Sequence, residues 1–448
     1  MSPGKKETAA AERTASPTHS EAQHEGGRLA WVVGLGCVMR LGILVLFPDI
    51  VAHYLSDRVE LSTPVTSYKR LREGVYLSAH QIPPFEGGGI FHQSPLLLLM
   101  FSALHRFPEI FTTLAYVAAD GFVAVTLARI AALRRTARST SGGLSIPGEI
   151  VFSCTPSVVA MLYLFNPLTL GTVLVKSTIV FSHVAVAAAL YAAAAGRSST
   201  AAVWTAIATH LSVYPAMLLA PIALVSTAAE GGFGHLDQRA GLAKRIATTV
   251  AVFAASFGAM HLLFVACYGA QYFTATFDFV LRVTDLQPNV GLFWYFFTEI
   301  FDEFRMFFFV VFQLTALAFA VPVSWRFRSE PLFSATMLVG IISALKSYPS
   351  WGDLSLFLGL LPLFEELFKY MQYMFLSANL LLYGIGLAPV FWHLWIEQGS
   401  GNANFFYAAT LVYVFGQITL LFDLGSAMLR RELDIHHPET RTRPVIQD

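Results

Sequence analysis

Apolar and polar positions alternate along this chain in blocks far longer than the period of a single surface helix. Nine runs, 30–48, 109–133, 148–165, 178–196, 247–269, 305–324, 352–371, 373–395 and 405–428, are predominantly apolar. A helix that crosses a bilayer needs about 20 apolar residues, with about 17 to 25 the usual range. Each of the nine therefore predicts a membrane-spanning helix. Four shorter apolar runs, 95–105, 201–213, 215–229 and 331–345, do not decide by length alone.

Charge arbitrates among them. Lys and Arg concentrate in the N-terminal tail (Lys5, Lys6, Arg13, Arg28), at Arg134–Arg138, at Arg239–Arg245, at Arg326–Arg328 and at Arg430 and Arg431. Basic clusters close to span ends mark the cytoplasmic side. To keep 134–138 on that side, 95–105 must not cross, and it predicts a re-entrant or interfacial helix. At about 1.5 Å per residue it is also too short to cross. To keep 239–245 there, 201–229 must cross out and back, turning at Val213–Pro215, where a proline suits a break. The expected architecture is an all-α polytopic protein of about twelve transmembrane helices with both termini cytoplasmic. Residues 1–29 read as a disordered polar tail, 30–429 as one multi-spanning domain, and 430–448 as a second tail.

Composition agrees. The 448 residues are 55% hydrophobic and 13% charged, against roughly 25% charged in a soluble domain, and mean hydropathy is +0.58. Nothing before Leu29 has the apolar core of a cleavable signal peptide, so the first run reads as an uncleaved signal anchor. The formal net charge is zero, which gives no electrostatic footprint for a nucleic-acid partner. Three cysteines, Cys37, Cys154 and Cys267, lie in or beside apolar runs. An odd count in such places argues against a disulfide framework and for inert buried thiols.

The topology puts the unusual segments on the non-cytoplasmic side: the loop 50–94, 166–177, the stretch 270–304, 346–353 and 395–406. Residues 285–304 read "DLQPNVGLFWYFFTEIFDEF". Projected at 100° per residue as one helix, Phe293, Phe296, Phe297, Ile300, Phe301 and Phe304 share an arc of about 140°. Tyr295, Glu299, Asp302 and Glu303 lie opposite. Asn289 is placed to cap that helix. The pattern predicts a helix on the membrane surface, either a plain interfacial connector or one wall of a lipid site. Its acids would then meet a partner subunit or a cationic head group.

The second segment, "HLWIEQGSGNANFFYA" from His393 to Ala408, sets Gly399 and Gly401 in a turn between aromatics. Asn402 and Asn404 each offer a donor and an acceptor, which suits sugar hydroxyls or phosphate. An aromatic belt with a polar hairpin is the simpler reading. In the loop 50–94, Asp57 and Glu60 stand close behind the first span, where membrane glycosyltransferases using polyprenyl-linked sugars carry an essential acid. No Asp-x-Asp pair accompanies them. Asp120, Lys176, His183, His210, Lys346 and Asp353 lie in or near spans, where ionisable groups are functional candidates unless they reach the interface. His53, His92 and His393 lack metal-ligand spacing. No phosphate-cradling glycine loop or nucleophile elbow occurs, so no metal, cofactor or catalytic residue is expected.

At "DLQPNVGLFWYFFTEIFDEF", "KSYPSWGD" and "FWHLWIEQGSGNANFFYA" the sequence closely resembles the PIG-U family, a subunit family of the GPI transamidase. The segments "SDRVELSTPVTSYKRLREGV", "GGIFHQSPLLLL" and "LFNPLTL" extend the resemblance over about residues 30 to 432, in order and at similar spacing. It implies a multi-pass protein of the endoplasmic reticulum membrane in a complex that attaches preformed GPI anchors to proteins. It also implies a fold like that of the multi-spanning (GT-C-like) mannosyltransferases, with transfer activity lost and the cysteine-protease-like catalytic subunit on another chain. The implied partners are the other transamidase subunits, the GPI glycolipid and membrane lipids. The aromatic segment would help recognise GPI lipid. Candidate contacts to GPI are Asn402, Asn404, Asp285, Asn289, Phe293, Trp294, Phe296 and Phe297. Glu299, Asp302 and Glu303 would meet a partner or the head group. The competing readings are an active glycosyltransferase fed by a dolichol-linked sugar and a scaffold without ligand contact.

Overall fold

The computed structural model describes residues 19–440 except 57, 87–88, 141–153 and 230–237. Asp57 and the tail cations Lys5, Lys6 and Arg13 lie outside the described residues. The described chain is helical and contains no strand. The apolar runs form helix over their described residues, apart from the breaks given below, because a segment without polar side chains can satisfy its backbone in lipid only within itself.

Among the described residues, six helices are long and apolar enough to cross a membrane: Gln23–Leu46, Glu109–Arg138, Ala243–Tyr268, Asp302–Arg326, Met374–Glu397 and Ala403–His436. A seventh crossing arises if Pro156–Leu164 and Pro167–Leu174, bent by 56° at their junction, act as one. The other apolar runs form shorter helices, among them Pro95–Leu104, Ile179–Ala194, Tyr214–Ala229 and Pro331–Leu345. Length alone therefore reaches six or seven crossings, not twelve.

The differences from the expected boundaries have local causes. The described chain opens in the helix His19–Leu46, so helix reaches into the last residues of the segment expected as a polar tail. Residues 166–177, expected as a loop, contain the helix Pro167–Leu174. Asn166 caps it by accepting from the Leu168 N–H at 2.9 Å, and Pro167 takes the first turn, where a missing N–H costs nothing. The turn at Val213–Pro215 is a 3-10 segment, Tyr214–Leu218. The run 352–371 splits into Trp351–Leu360 and a 3-10 stretch, Leu361–Tyr370, with Phe364 off helical geometry.

Two buried charge clusters hold the bundle. Arg40 and Asp120, both fully buried, pair at 2.7 Å between Nε and Oδ2. Tyr163 donates to Asp120 Oδ1 at 2.9 Å, while Arg40 donates to the carbonyls of Gly36 (3.1 Å) and Leu164 (2.7 Å). The cluster ties His19–Leu46, Glu109–Thr140 and Pro156–Leu164 together. Asp120 is thus half of an internal clamp. At the end carrying the basic run 134–138, Arg134 and Arg138 meet the buried Glu366 at 2.6 and 2.9 Å, and Arg134 lies over the Phe364 ring at 4.4 Å.

Candidate functional site

The stretch 285–304 does not form one helix. Phe293–Glu299 is helical, Ile300 is extended (ψ 146°), and Phe301 caps a new helix, Asp302–Ala318. Asp302 and Glu303 occupy that helix's first turn, where the positive end of the helix dipole favours acids. The projection of 290–304 as a continuous amphipathic helix is therefore corrected. Its aromatics divide: Phe293, Trp294 and Phe297 are at most 3% exposed, whereas Phe301 and Phe304 are largely exposed. Glu299, Asp302 and Glu303 are exposed as well.

The loop before the helix is closely bonded. Val283, a buried β-branched residue, sits in the left-handed region (φ 50°, ψ 54°), a conformation disfavoured for its type. Arg305 donates to its carbonyl at 3.1 Å. Asp285 Oδ2 pairs with Arg70 at 2.8 Å and Oδ1 accepts from the Gln287 N–H at 2.9 Å. The buried Tyr348 hydroxyl donates to the Asp285 carbonyl (2.9 Å) and accepts from its N–H (3.2 Å). Burial pushes the Tyr348 hydroxyl well above the usual phenol range. Asn289 is fully buried and caps no helix. Its Oδ1 accepts from the Gly291 N–H at 2.8 Å, and its Nδ2 donates to the Gln287 carbonyl at 3.2 Å. A Cβ on Gly291 would lie 2.6 Å from Pro349 Cδ, so only glycine permits this approach.

Phe293 and Phe296 each lie 4.9 Å from Phe312, and Phe296 is 4.9 Å from Phe308. These rings pack inside the chain, against the following span. Trp294 turns the other way, toward the second segment. It stacks on Trp395 (6.3 Å between centroids, 20°) and meets Phe406 at 6.0 Å and Tyr407 at 5.8 Å. Tyr295 stacks on Tyr407 at 4.4 Å. The Tyr295 hydroxyl donates to Asn404 Oδ1, and the Tyr407 hydroxyl donates to the Leu292 carbonyl at 3.3 Å. Gly399, at φ +63°, supplies the left-handed turn residue of the hairpin. Asn402 caps the helix Ala403–His436 by accepting from the Asn404 N–H at 3.1 Å. Both asparagines are exposed.

The structure thus joins Trp294, Asn402 and Asn404 in one aromatic seam. It sets Asp285 and Asn289 in the adjoining loop, and Phe293 and Phe297 in the packing behind it. The Trp294 indole N–H is buried and has no hydrogen-bond partner among the described residues, whereas buried donors are nearly always paired. Sequence reasoning missed Arg70, Tyr348, Phe308 and Phe312, which position the site. Tyr348 stood inside "KSYPSWGD" and Arg70 inside "SYKRLREGV"; only their contacts with the 285 loop were hidden.

Three of the remaining candidates have charged partners. Lys346 pairs with Asp353 at 2.6 Å, both nearly buried. Lys176 pairs with Glu109 at 2.8 Å and lies over Tyr68. His393 pairs with Glu397 at 2.5 Å. Among the described residues no three His, Cys, Asp or Glu side chains gather around a point that could hold a metal.

Glu60 is fully buried and neither carboxylate oxygen has a partner. Burial holds its carboxyl above the usual carboxylate range. A raised folded-state value means that stability falls as pH rises from the unfolded value, about 4.3, through the folded one. Glu60→Gln is therefore expected to melt higher than wild type at neutral pH in detergent. The difference should vanish near about pH 4, where both states bind the proton.

The family model described as "GPI transamidase subunit PIG-U" matches residues 34–413. The chain is 35% identical over 407 residues to "GPI transamidase component GAB1" of Saccharomyces cerevisiae, covering 90% of this chain and 95% of the relative. It is 31% identical over 413 residues to "GPI-anchor transamidase component PIGU" of Homo sapiens, covering 88% of this chain and 92% of the relative. A third relative, "GPI transamidase component GAB1 homolog" of Schizosaccharomyces pombe, is 31% identical over 397 residues, with 89% and 93% covered. With the match running almost end to end, this chain belongs to the PIG-U family.

Proposed function

We propose that this chain is a non-catalytic subunit of a GPI transamidase complex, and that it helps bind the GPI glycolipid and hold the complex together. The relatives' names support the complex. The observation that carries the ligand role is the unpartnered indole N–H of Trp294 in a seam shared with Asn404. GPI combines acyl chains with phosphate and sugars. Its recognition asks for apolar walls beside unsatisfied polar groups, and the seam offers both. The catalytic centre belongs to another chain of the complex. Glu299, Asp302 and Glu303, exposed beside the seam, face a partner subunit or an ethanolamine ammonium of the head group.

The protein resides in the endoplasmic reticulum membrane. We take its topology to be the twelve-span, GT-C-like arrangement, with both termini cytoplasmic and the seam lumenal. In that arrangement the shorter apolar helices other than Pro95–Leu104 cross within the bundle, screened from lipid by the longer ones. Glycosylation tags inserted near Thr140 and Ser400 check this: only the second should be modified.

Asn402→Lys and Asn404→Lys test the site. Each is expected to leave partner subunits co-purifying at wild-type level while lowering surface display of a GPI-anchored reporter at least several-fold. Normal display with either variant removes that residue from the site. Loss of co-purification instead makes the segment an assembly surface.

A further inference from the structure

The helix Gln238–Tyr268 carries the span Ala243–Tyr268, whose apolar stretch is only 6% buried inside the chain. The rest of the chain therefore leaves nearly all of this span uncovered. The helix ends at Tyr268. There Gly269 takes the left-handed conformation (φ +76°) and donates its N–H to the Val265 carbonyl at 2.9 Å. A cleft of about 350 Å³ opens at that end, and the residues around it include Ser78, Gln81, Phe85, Glu86, Cys267 and Tyr268. No residue of the seam lines it. Its volume falls within the range of small-molecule sites, about 300 to 1,000 Å³.

Three features set the charge that the cleft accepts. Glu86 is the one charged side chain among the described residues that line it. It is exposed, and none of the ion pairs of the described residues includes it. The cleft also lies at the C-terminus of a 31-residue helix, the negative end of the helix dipole. Finally, Phe85 and Tyr268 meet edge to face at 5.4 Å between centroids, and aromatic rings attract ammonium groups. A carboxylate and a helix C-terminus together repel a free anion and favour a cation. At the end of a span open to its surroundings, the cations closest to hand are the ammonium groups of lipid heads.

We infer that this cleft holds the ammonium head group of a zwitterionic phospholipid, with Glu86 as its counter-charge and Tyr268 beside it. The phosphate of such a lipid stays at the mouth, away from the carboxylate. The inference does not depend on the glycolipid reading of the seam.

Native mass spectrometry of the full chain tests it, after exchange from detergent into equimolar phosphatidylcholine, phosphatidylethanolamine and phosphatidylglycerol. Wild type is expected to retain at least one of the two zwitterionic lipids in preference to phosphatidylglycerol. Glu86 is exposed, so Glu86→Gln removes the charge without disturbing packing, and it should weaken that retention at least about tenfold. Of the three cysteines, Cys267 alone is exposed. Its alkylation by a bulky maleimide fills the cleft and should abolish retention of the same lipid in unmutated protein. Tetramethylammonium brings the cation without phosphate or chains, and it should displace the lipid. Equal retention of phosphatidylglycerol, or retention unchanged both in Glu86→Gln and after alkylation, overturns the inference. Lipid that tetramethylammonium cannot displace is held by its chains rather than its head, which overturns it as well. Binding of free ethanolamine phosphate where neither zwitterionic lipid binds would assign the cleft to a head group from another source and remove the phospholipid.

Discussion

Asp120→Leu is expected to remove the folded protein almost entirely, and adding Arg40→Met to restore much of it. Both side chains are fully buried, and their ion pair at 2.7 Å joins two apolar helices. Taking a guanidinium out of water is costly, and only its partners offset the cost. Without Asp120, Arg40 keeps the Gly36 and Leu164 carbonyls but loses its counter-charge. Removing one partner of a buried pair typically costs about 3 to 5 kcal/mol, a large share of the about 5 to 15 kcal/mol that stabilises a domain. Tyr163 also loses its acceptor. Replacing both charges by apolar side chains of similar length removes the penalty rather than the packing. Detergent-extracted protein eluting as a single monodisperse peak, and its melting temperature, measure the outcome. A single variant as stable as wild type would show that the clamp carries little energy.

Trp294 is expected to separate packing from recognition. Trp294→Ala empties a nearly buried site between Trp395, Phe406 and Tyr407, and truncation of a buried Trp costs about 3 to 5 kcal/mol. Both the level of assembled complex and reporter display should collapse. Trp294→Phe keeps most of the ring contact and deletes only the N–H that no group in the chain accepts. Removing an unsatisfied donor does not destabilise the free protein. Assembly should therefore stay near wild type while display falls several-fold. Immunoprecipitation of partner subunits and flow cytometry of a GPI-anchored reporter read the two effects separately. Equal display with Phe would make the indole N–H irrelevant to the ligand.

Much of this architecture was legible in the order of the residues. Uninterrupted apolar runs have one solution in lipid, so the all-helical class and the order of helices follow directly. The breaks were less legible, because they depend on single residues within apolar text. Pro167 and Pro362 start new helical turns inside runs that hydropathy reads as continuous, and Ile300 extends where an ideal projection keeps turning. Partners distant in sequence were not legible at all. Asp120 reads from the sequence as an isolated charge in a span, though Arg40 neutralises it. Tyr295 and Asn404 stand 109 residues apart, and nothing in either segment names the other. Residue type marked Asn404 as a candidate but not Tyr295; only packing brings them together. The inward turn of Phe293 and Phe297 was lost for the same reason, since an aromatic face suits a protein core as well as a membrane surface.

The most direct test of the ligand role is photolabelling. A GPI bearing a diazirine at its phosphoinositol end would be irradiated with the assembled complex containing this chain, and the labelled peptides identified by mass spectrometry. The account predicts label on peptides spanning 285–299 and 392–407, reduced in Asn404→Lys. Label confined to other subunits, or to helices of this chain far from the seam, would contradict it.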